Sequence, residues 1–251
     1  MSDKPYKDKV ALVTGGASGI GEACVMTFAR GGAKVAVVDV NARLGAKVVA
    51  AVKDAGSEAI FLEVDVTKPE AVEKMVADTV KKFGSLDMAV NNAGISGELK
   101  PTAEYSVENW RKVIDVNLNS VFYCMHFEIR QMLKQGKGAI VNMSSILGSV
   151  GFANAPAYVA AKHGMVGLTK TAALEYGRQG IRINSVGPAF IKTPLLKDLD
   201  DKMQEQLSTM HAVGRMGQPQ EVGSLVGFLC SDEASFLTGA YYLADGGYTA
   251  Q

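Results

Sequence analysis

Seven short runs of apolar, largely β-branched residues punctuate this chain, and segments with helical periodicity lie between them. The runs span residues 10–14, 34–39, 59–64, 86–90, 139–143, 181–186 and 241–243, and the helical patterns 19–30, 42–54, 69–83, 107–134, 155–176 and 219–229. A strand that is apolar along its whole length must be covered on both faces, because a sheet with one wet face alternates polar and apolar residues. Strands of that kind, each followed by an amphipathic segment, predict an α/β chain: a single doubly wound Rossmann fold around a parallel sheet of about seven strands. Thr67 reads as the N-cap of the 69–83 helix, with Pro69 in its first turn. The 107–134 segment reads as one long or kinked helix.

No Pro/Ser-rich linker, composition break or fixed-period repeat divides the 251 residues, so one domain over 1–251 is expected. Residues 193–216 are polar, with Lys197, Asp198, Asp200, Asp201 and Lys202, and read as a mobile, solvated lid over a site. Lysine plus arginine equals aspartate plus glutamate at 26 each, so no net field favours nucleic acid or an anionic membrane surface. Cys24, Cys124 and Cys230 form no C-x-x-C pattern and read as reduced packing residues of a cytoplasmic protein. The first residues lack the apolar stretch of a secretory signal. The 24 residues 138–161 carry no charge, yet they include Asn142, Ser144, Ser145, Asn154 and Pro156. A membrane span would tolerate those badly, so the stretch reads as a buried strand and a loop lining a site.

The loop after the first strand reads Thr14-Gly15-Gly16-Ala17-Ser18-Gly19-Ile20-Gly21 and opens a helix. Glycines in that context allow a tight turn and let backbone N–H groups approach a pyrophosphate at the positive helix end. The competing reading is a glycine-rich turn that holds no ligand. Asp39 ends the second strand, where a carboxylate can accept hydrogen bonds from ribose hydroxyls and would repel a 2′-phosphate. No basic residue occupies 16–18, and Val40 follows Asp39, so NAD(H) is favoured over NADP(H); Arg43 is the nearest contrary feature.

Tyr158 and Lys162 sit four apart on the 155–176 helix and share a face. An unperturbed phenol, with a pKa near ~10, is a poor base at neutral pH, but an adjacent ammonium would favour its ionised form. Ser145, just past the fifth strand, can hold a substrate oxygen against Tyr158. Asn117 could fix a water that passes protons between Lys162 and solvent. Taken singly each of these is more often structural; together with the glycine loop they point to a nicotinamide-dependent oxidoreductase.

On these motifs the chain resembles the short-chain dehydrogenase/reductase family over essentially its whole length. The stretches that carry the likeness are Thr14 to Gly21, Asp65-Val66, Asn91-Asn92-Ala93-Gly94, Asn117, Ser145, Tyr158 with Lys162, Asn184 to Thr193, and Asp245-Gly246-Gly247. The resemblance implies that Asp65 and Val66 border the adenine and that Asn91, Ala93 and Gly94 back the cofactor. It further implies that Pro188, Ile191 and Thr193 meet the nicotinamide end, and that Gly15, Ser18, Gly19, Ile20 and Gly21 hold the phosphates. Tyr158 would be the acid/base, Lys162 would also bind the nicotinamide ribose, Ser145 would orient substrate and Asn117 would complete a relay. One departure stands out: Pro188 is followed by Ala189 where the family has glycine, and alanine resists positive φ.

Ser145, Leu147, Phe152, Tyr158, Phe190 and Leu196 are the expected substrate wall, with Ile146, Leu195 and Met203 nearby. Their apolar character suggests a hydrophobic or cyclic secondary alcohol or its ketone. The alternatives are a 3-oxoacyl-carrier-protein reductase using NADPH, which Asp39 opposes, and a non-catalytic NAD(H) sensor, which has no need of a proton relay. His126, His163 and His211 show no metal spacing. The tail resembles that of bacterial alcohol dehydrogenases of the family in which a terminal carboxylate, here Gln251, helps bind Mg²⁺ between subunits. A homotetramer is likewise implied by resemblance.

Overall fold

The computed structural model describes residues 4–196 and 200–250. Its strands are β1 (Val10–Thr14), β2 (Lys34–Asp39), β3 (Ala59–Glu63), β4 (Met88–Asn91), β5 (Gly138–Met143), β6 (Ile181–Pro188) and β7 (Tyr241–Ala244). They form one seven-stranded sheet in the order β3-β2-β1-β4-β5-β6-β7, with every neighbouring pair parallel. Strand order reverses direction between β1 and β4, and ligands of such sheets sit outside the carboxyl ends of the strands at that switch point.

The described residues form eight α-helices: α1 (Gly19–Arg30), α2 (Ala42–Asp54), α3 (Pro69–Phe83), α4 (Val107–Ile114), α5 (Ser120–Gln135), α6 (Pro156–Tyr176), α7 (Asp201–Thr209) and α8 (Pro219–Cys230). Adjacent strand residues point to opposite faces, and both faces are dry. On one side Val13, Val35 and Val37 pack with Phe28, Val48, Val222 and Leu229; on the other Leu12, Ala36 and Ile140 pack with Val72, Met75, Ile129 and Met165. Cys24, Cys124 and Cys230 are free and buried in these layers. Among the described residues no helix is long and apolar enough to cross a membrane.

Three local expectations change. The N-cap of α3 is Lys68, not Thr67. The Thr67 hydroxyl instead donates to Asp65 Oδ1 at 2.7 Å, because that carboxylate oxygen also takes the Thr67 N–H and closes a local turn. The fourth strand starts at Met88 rather than Leu86, because Gln135 clamps the Leu86 backbone both ways, at 3.0 and 2.9 Å. The 107–134 segment is kinked by a π-helical turn over Asp115–Asn119, which separates α4 from α5 and carries Asn117.

Beneath the sheet lies a buried polar network. Asn91 Nδ2 donates to Glu128 Oε2 and to Asn142 Oδ1, both at 3.0 Å, and Asn142 Nδ2 donates to Thr169 Oγ1 at 2.9 Å. Glu128 is fully buried and its Oε1 has no partner. Burial pushes its pKa up to about 7, with the hydrogen bond from Asn91 opposing. The folded protein therefore keeps a proton that the unfolded chain releases from about pH 4.3 upward. That contribution is complete below the ordinary glutamate value and is lost as pH rises through about 7. Glu128→Gln keeps the acceptor for Asn91 without the charge. It is expected to raise Tm by several degrees at about pH 8.5, from at most about 4 kcal/mol of linkage, and to leave Tm nearly unchanged near about pH 3.5, below the ordinary glutamate value. Thermal melts at the two pH values check this; an equal shift at both would mean that ionisation of Glu128 is not the cause.

Candidate active site

The glycine loop leaves β1 under tight geometric control. Gly15 and Gly19 have positive φ of 61° and 56°, which a side chain would resist. A Cβ on Gly21 would lie 2.0 Å from the Gly15 carbonyl oxygen, so the first turn of α1 folds directly against the loop. Ser18 is the N-cap of α1 and makes no side-chain cap bond, which leaves the first N–H groups of the helix uncapped by its hydroxyl. Such an end attracts a phosphate. Asp39, at the end of β2, accepts from Ala17 N–H at 3.2 Å through Oδ2 and from Asn41 N–H at 2.9 Å through Oδ1. It thus holds the loop while keeping a carboxylate beside it. Across the site a Cβ on Gly19 would come within 3.3 Å of Thr193, so the segment after β6 closes against the loop.

The chemistry-bearing residues converge at the carboxyl ends of β4, β5 and β6. Ser145 follows β5 in extended backbone and caps the short turn Ile146–Gly148, its Oγ accepting from Leu147 N–H at 3.2 Å. Pro156 starts α6, which carries Tyr158 and Lys162 one turn apart. Lys162 is buried; its Nζ donates to the Met143 carbonyl at 2.7 Å and stands 5.5 Å from the centre of the Tyr158 ring. Burial pushes the lysine down to about 7. Burial also raises Tyr158, with a hydrogen bond to Ser145 working the other way. Desolvation is the first cause for both groups and favours their neutral forms, so it works against the ionising influence expected of an adjacent ammonium.

Asn117 is buried on the π-helical turn, and its side chain is committed to one backbone unit: Oδ1 accepts from Ile95 N–H and Nδ2 donates to Ile95 O, both at 2.8 Å. Its amide therefore fixes the loop after β4. Asn91 turns its side chain into the core network under the sheet.

A family model described as enoyl-(acyl carrier protein) reductase matches residues 15–249. Cyclohexanol dehydrogenase of Acinetobacter sp. (strain SE19) is 49% identical over 251 residues, covering 100% of this chain and 98% of that protein. Cis-4-hydroxycyclohexanecarboxylate dehydrogenase of Sinomonas cyclohexanicum is 43% identical over 98% of each chain. The crystal structure of levodione reductase superposes with a TM-score of 0.95 at 38% identity, over 98% of this chain and 99% of that one. The chain belongs to the short-chain dehydrogenase/reductase family.

Short-chain dehydrogenases/reductases are oxidoreductases that use a nicotinamide cofactor, and the loop of this chain fits one: glycines at 15, 19 and 21 let it fold against α1, Asn92 and Thr193 where a Cβ would crowd, and the N-terminal N–H groups of α1 carry no side-chain cap bond. Gly15, Ser18, Gly19 and Ile20 lie at that loop, Ile20 also packing on the core. Asp65 is exposed beyond β3, its carboxyl held below its ordinary range by the hydrogen bonds from Thr67, and Val66 is buried beside it. Ala93 and Gly94 follow β4, with Gly94 against Asn117 Oδ1. Pro188 ends β6, and Ile191 is buried and bridges to Gly217. Ala189 has no positive φ, and its N–H reaches Ala244 O at 3.3 Å.

Of the expected substrate wall, Leu147 is buried behind Ser145, whereas Phe152 is partly exposed and stacks edge-on to Phe190 at 6.5 Å. Phe190 meets His211 and Tyr248 at 6.0 and 5.9 Å, so the chain's tail completes an aromatic wall. Asp245 makes this possible by accepting from Gly247 and Thr249 N–H, both at 3.0 Å, which turns the tail back. Leu196 ends a short turn, Met203 on α7 is exposed, and the side chain of Leu195 lies outside the described residues. Gln251 also lies outside them, and among the described residues no cluster of three metal-ligating side chains exists.

The sequence reading names Asn92 only within the stretch 91–94 and does not single out Tyr241. Asn92 Nδ2 donates to the Thr14 and Gly15 carbonyls, both at 3.1 Å, and Thr14 Oγ1 accepts from Asn92 and Ala93 N–H at 3.0 and 3.2 Å. Neighbouring asparagines point to opposite faces of a strand, and nothing in Asn91-Asn92 alone says which of them serves the loop. Tyr241, on β7, donates from its hydroxyl to the Ser145 carbonyl.

Proposed function

We propose that this protein interconverts a cyclic or otherwise hydrophobic secondary alcohol and its ketone, using NAD(H). The carrying observation is the grouping of Ser145, Tyr158 and Lys162 just past the carboxyl end of β5; the approach of Thr193 to the glycine loop and the Phe152–Phe190 pair support the same reading. Cyclic alcohols and ketones in the names of the relatives support the same substrate class.

The bound nicotinamide supplies the hydride acceptor or donor for the carbinol carbon. Tyr158 holds the substrate oxygen and moves its proton, Ser145 orients that oxygen, and the apolar wall excludes water. A buried lysine held at about 7 can gain and release a proton at neutral pH, which suits Lys162 to a relay behind Tyr158. Lys162 also offers its Nζ to the ribose. Asn117 acts on this set by fixing the loop through Ile95. The 193–216 segment serves as the lid, with α7 preceding the tail-facing His211. Exposed apolar side chains on three helices, Phe122, Leu174 and Phe228, support a homotetramer, and the buried free cysteines suit a reducing, cytoplasmic setting.

NADH consumption with cyclic ketones, linear ketones and a 3-oxoacyl thioester tests the substrate class. Activity confined to the thioester would overturn it. Asp39 tests the cofactor. Asp39→Ser removes a charged acceptor of ribose hydroxyls, and losses of about 1.5–3 kcal/mol correspond to about a ten-fold or greater rise in KM for NAD⁺. Turnover with NADP⁺ should emerge in the same variant. An unchanged NAD⁺/NADP⁺ ratio would remove Asp39 as the discriminator.

A further inference from the structure

Tyr241 begins β7 and is paired in register with Ser185 of β6, two residues before Gly187. Residues two apart on a strand share a face, so the tyrosine ring and Gly187 lie on the same side of the sheet. The fit between them depends on glycine: a Cβ at 187 would fall 2.3 Å from the Tyr241 hydroxyl oxygen and 2.5 Å from Cε2. Through that gap the ring leans past β6, and its hydroxyl donates to the carbonyl of Ser145 at the end of β5. The same carbonyl also accepts from Gly148 N–H at 2.8 Å. Ser149, at the far end of the turn, donates from its hydroxyl back to Ile146 O at 3.1 Å. The turn that orients Ser145 is thus held from within by Gly148 and from across the sheet by Tyr241.

We propose that Tyr241 is a positioning residue for the Ser145–Tyr158 pair, acting through the Ser145 carbonyl, and that Gly187 provides the space its ring requires. The role rests on the oxidoreductase reading above. The peptide after Ser145 decides where the serine hydroxyl points, and that hydroxyl in turn meets the Tyr158 phenol. Displacements well under a bond length at a reacting oxygen are costly to turnover, whereas the glycine loop follows β1, separated by β4 from β5 and the Ser145 turn. Loss of the Tyr241 hydroxyl should therefore weaken turnover and leave cofactor binding alone.

Tyr241→Phe, which keeps the ring, is expected to lower kcat about ten-fold, the scale of one lost neutral hydrogen bond expressed at the reacting centre. The KM and Kd of the cofactor should stay within a factor of about two, and Tm should be essentially unchanged. Gly187→Ala should give the same signature by pushing the ring aside, and in the double variant the second substitution should add little to the loss in kcat. Wild-type kcat in Tyr241→Phe, a loss confined to cofactor affinity or Tm, or additive effects in the double variant would each overturn the proposal. Amide exchange supplies a readout that needs no substrate: the Leu147 and Gly148 amides should lose protection in Tyr241→Phe while β5 keeps its own. Unchanged exchange in that turn would also overturn it. Absence of wild-type turnover on every alcohol and ketone would instead count against the substrate reading, and the exchange result would still decide the role of Tyr241.

Discussion

Tyr158→Phe is expected to lower kcat by about a thousand-fold while cofactor Kd changes by less than about two-fold. General acid–base groups contribute roughly 10²–10⁴ to rate, and phenylalanine removes the oxygen that would move the proton without removing the ring. The neighbours stay in place for reasons visible in the structure. Lys162 is anchored by its own bond to the Met143 carbonyl, and its contact with the Tyr158 ring is to the aromatic face, which phenylalanine keeps. Ser145 Oγ retains Leu147 N–H. Steady-state kinetics with a cyclic ketone and NADH, beside calorimetric titration of the cofactor, separate the two quantities. Retention of kcat within a few-fold would move the proton transfer to another group; a parallel loss of cofactor affinity would make Tyr158 a binding residue first.

Gly21→Ala carries the second large effect, on binding rather than on chemistry. The added methyl would lie 2.0 Å from the Gly15 carbonyl oxygen and 2.6 Å from Asn92 Nδ2. Neither can yield cheaply. The carbonyl belongs to a loop already held by positive φ at Gly15, and Asn92 is the clamp that ties that loop to β4. Cofactor affinity should fall at least about 100-fold, because the N–H groups of the loop and of the first turn of α1 lose their shared geometry. The sheet should persist, since its two apolar layers do not depend on this turn. Gly56→Ala is the fitting control: Gly56 has a φ of +80° with nothing within 4 Å of its added Cβ, so it brings backbone strain without a clash. The control should lower Tm and leave cofactor titrations unchanged. If both variants bound cofactor equally well, the close approach at Gly21 would not be what shapes the loop.

The sequence alone determined the class of fold and the identity of the reacting side chains. Continuous apolar strands, as in Val35 to Val38, have one stable solution, burial on both faces of a parallel sheet, and that solution is local enough to read from a window of residues. Tyr158 and Lys162 were legible for the same reason, since helical spacing puts them on one face whatever surrounds them. What the tertiary structure decided depends on contacts between residues far apart in the chain. Whether Asn91 or Asn92 serves the loop follows from which face of β4 meets Glu128 and which meets Thr14. The start of β4 followed from Gln135, the missing cap of α3 from Asp65, and the kink at Asn117 from a π-helical turn. Burial, which sets the ionisation of Lys162, Tyr158 and Glu128, is a property of the whole packing and leaves no mark on spacing. Tyr241 is the sharpest case. It lies 96 residues from Ser145, and only the parallel order β5-β6-β7, with a glycine at the intervening position, brings its hydroxyl to the serine carbonyl.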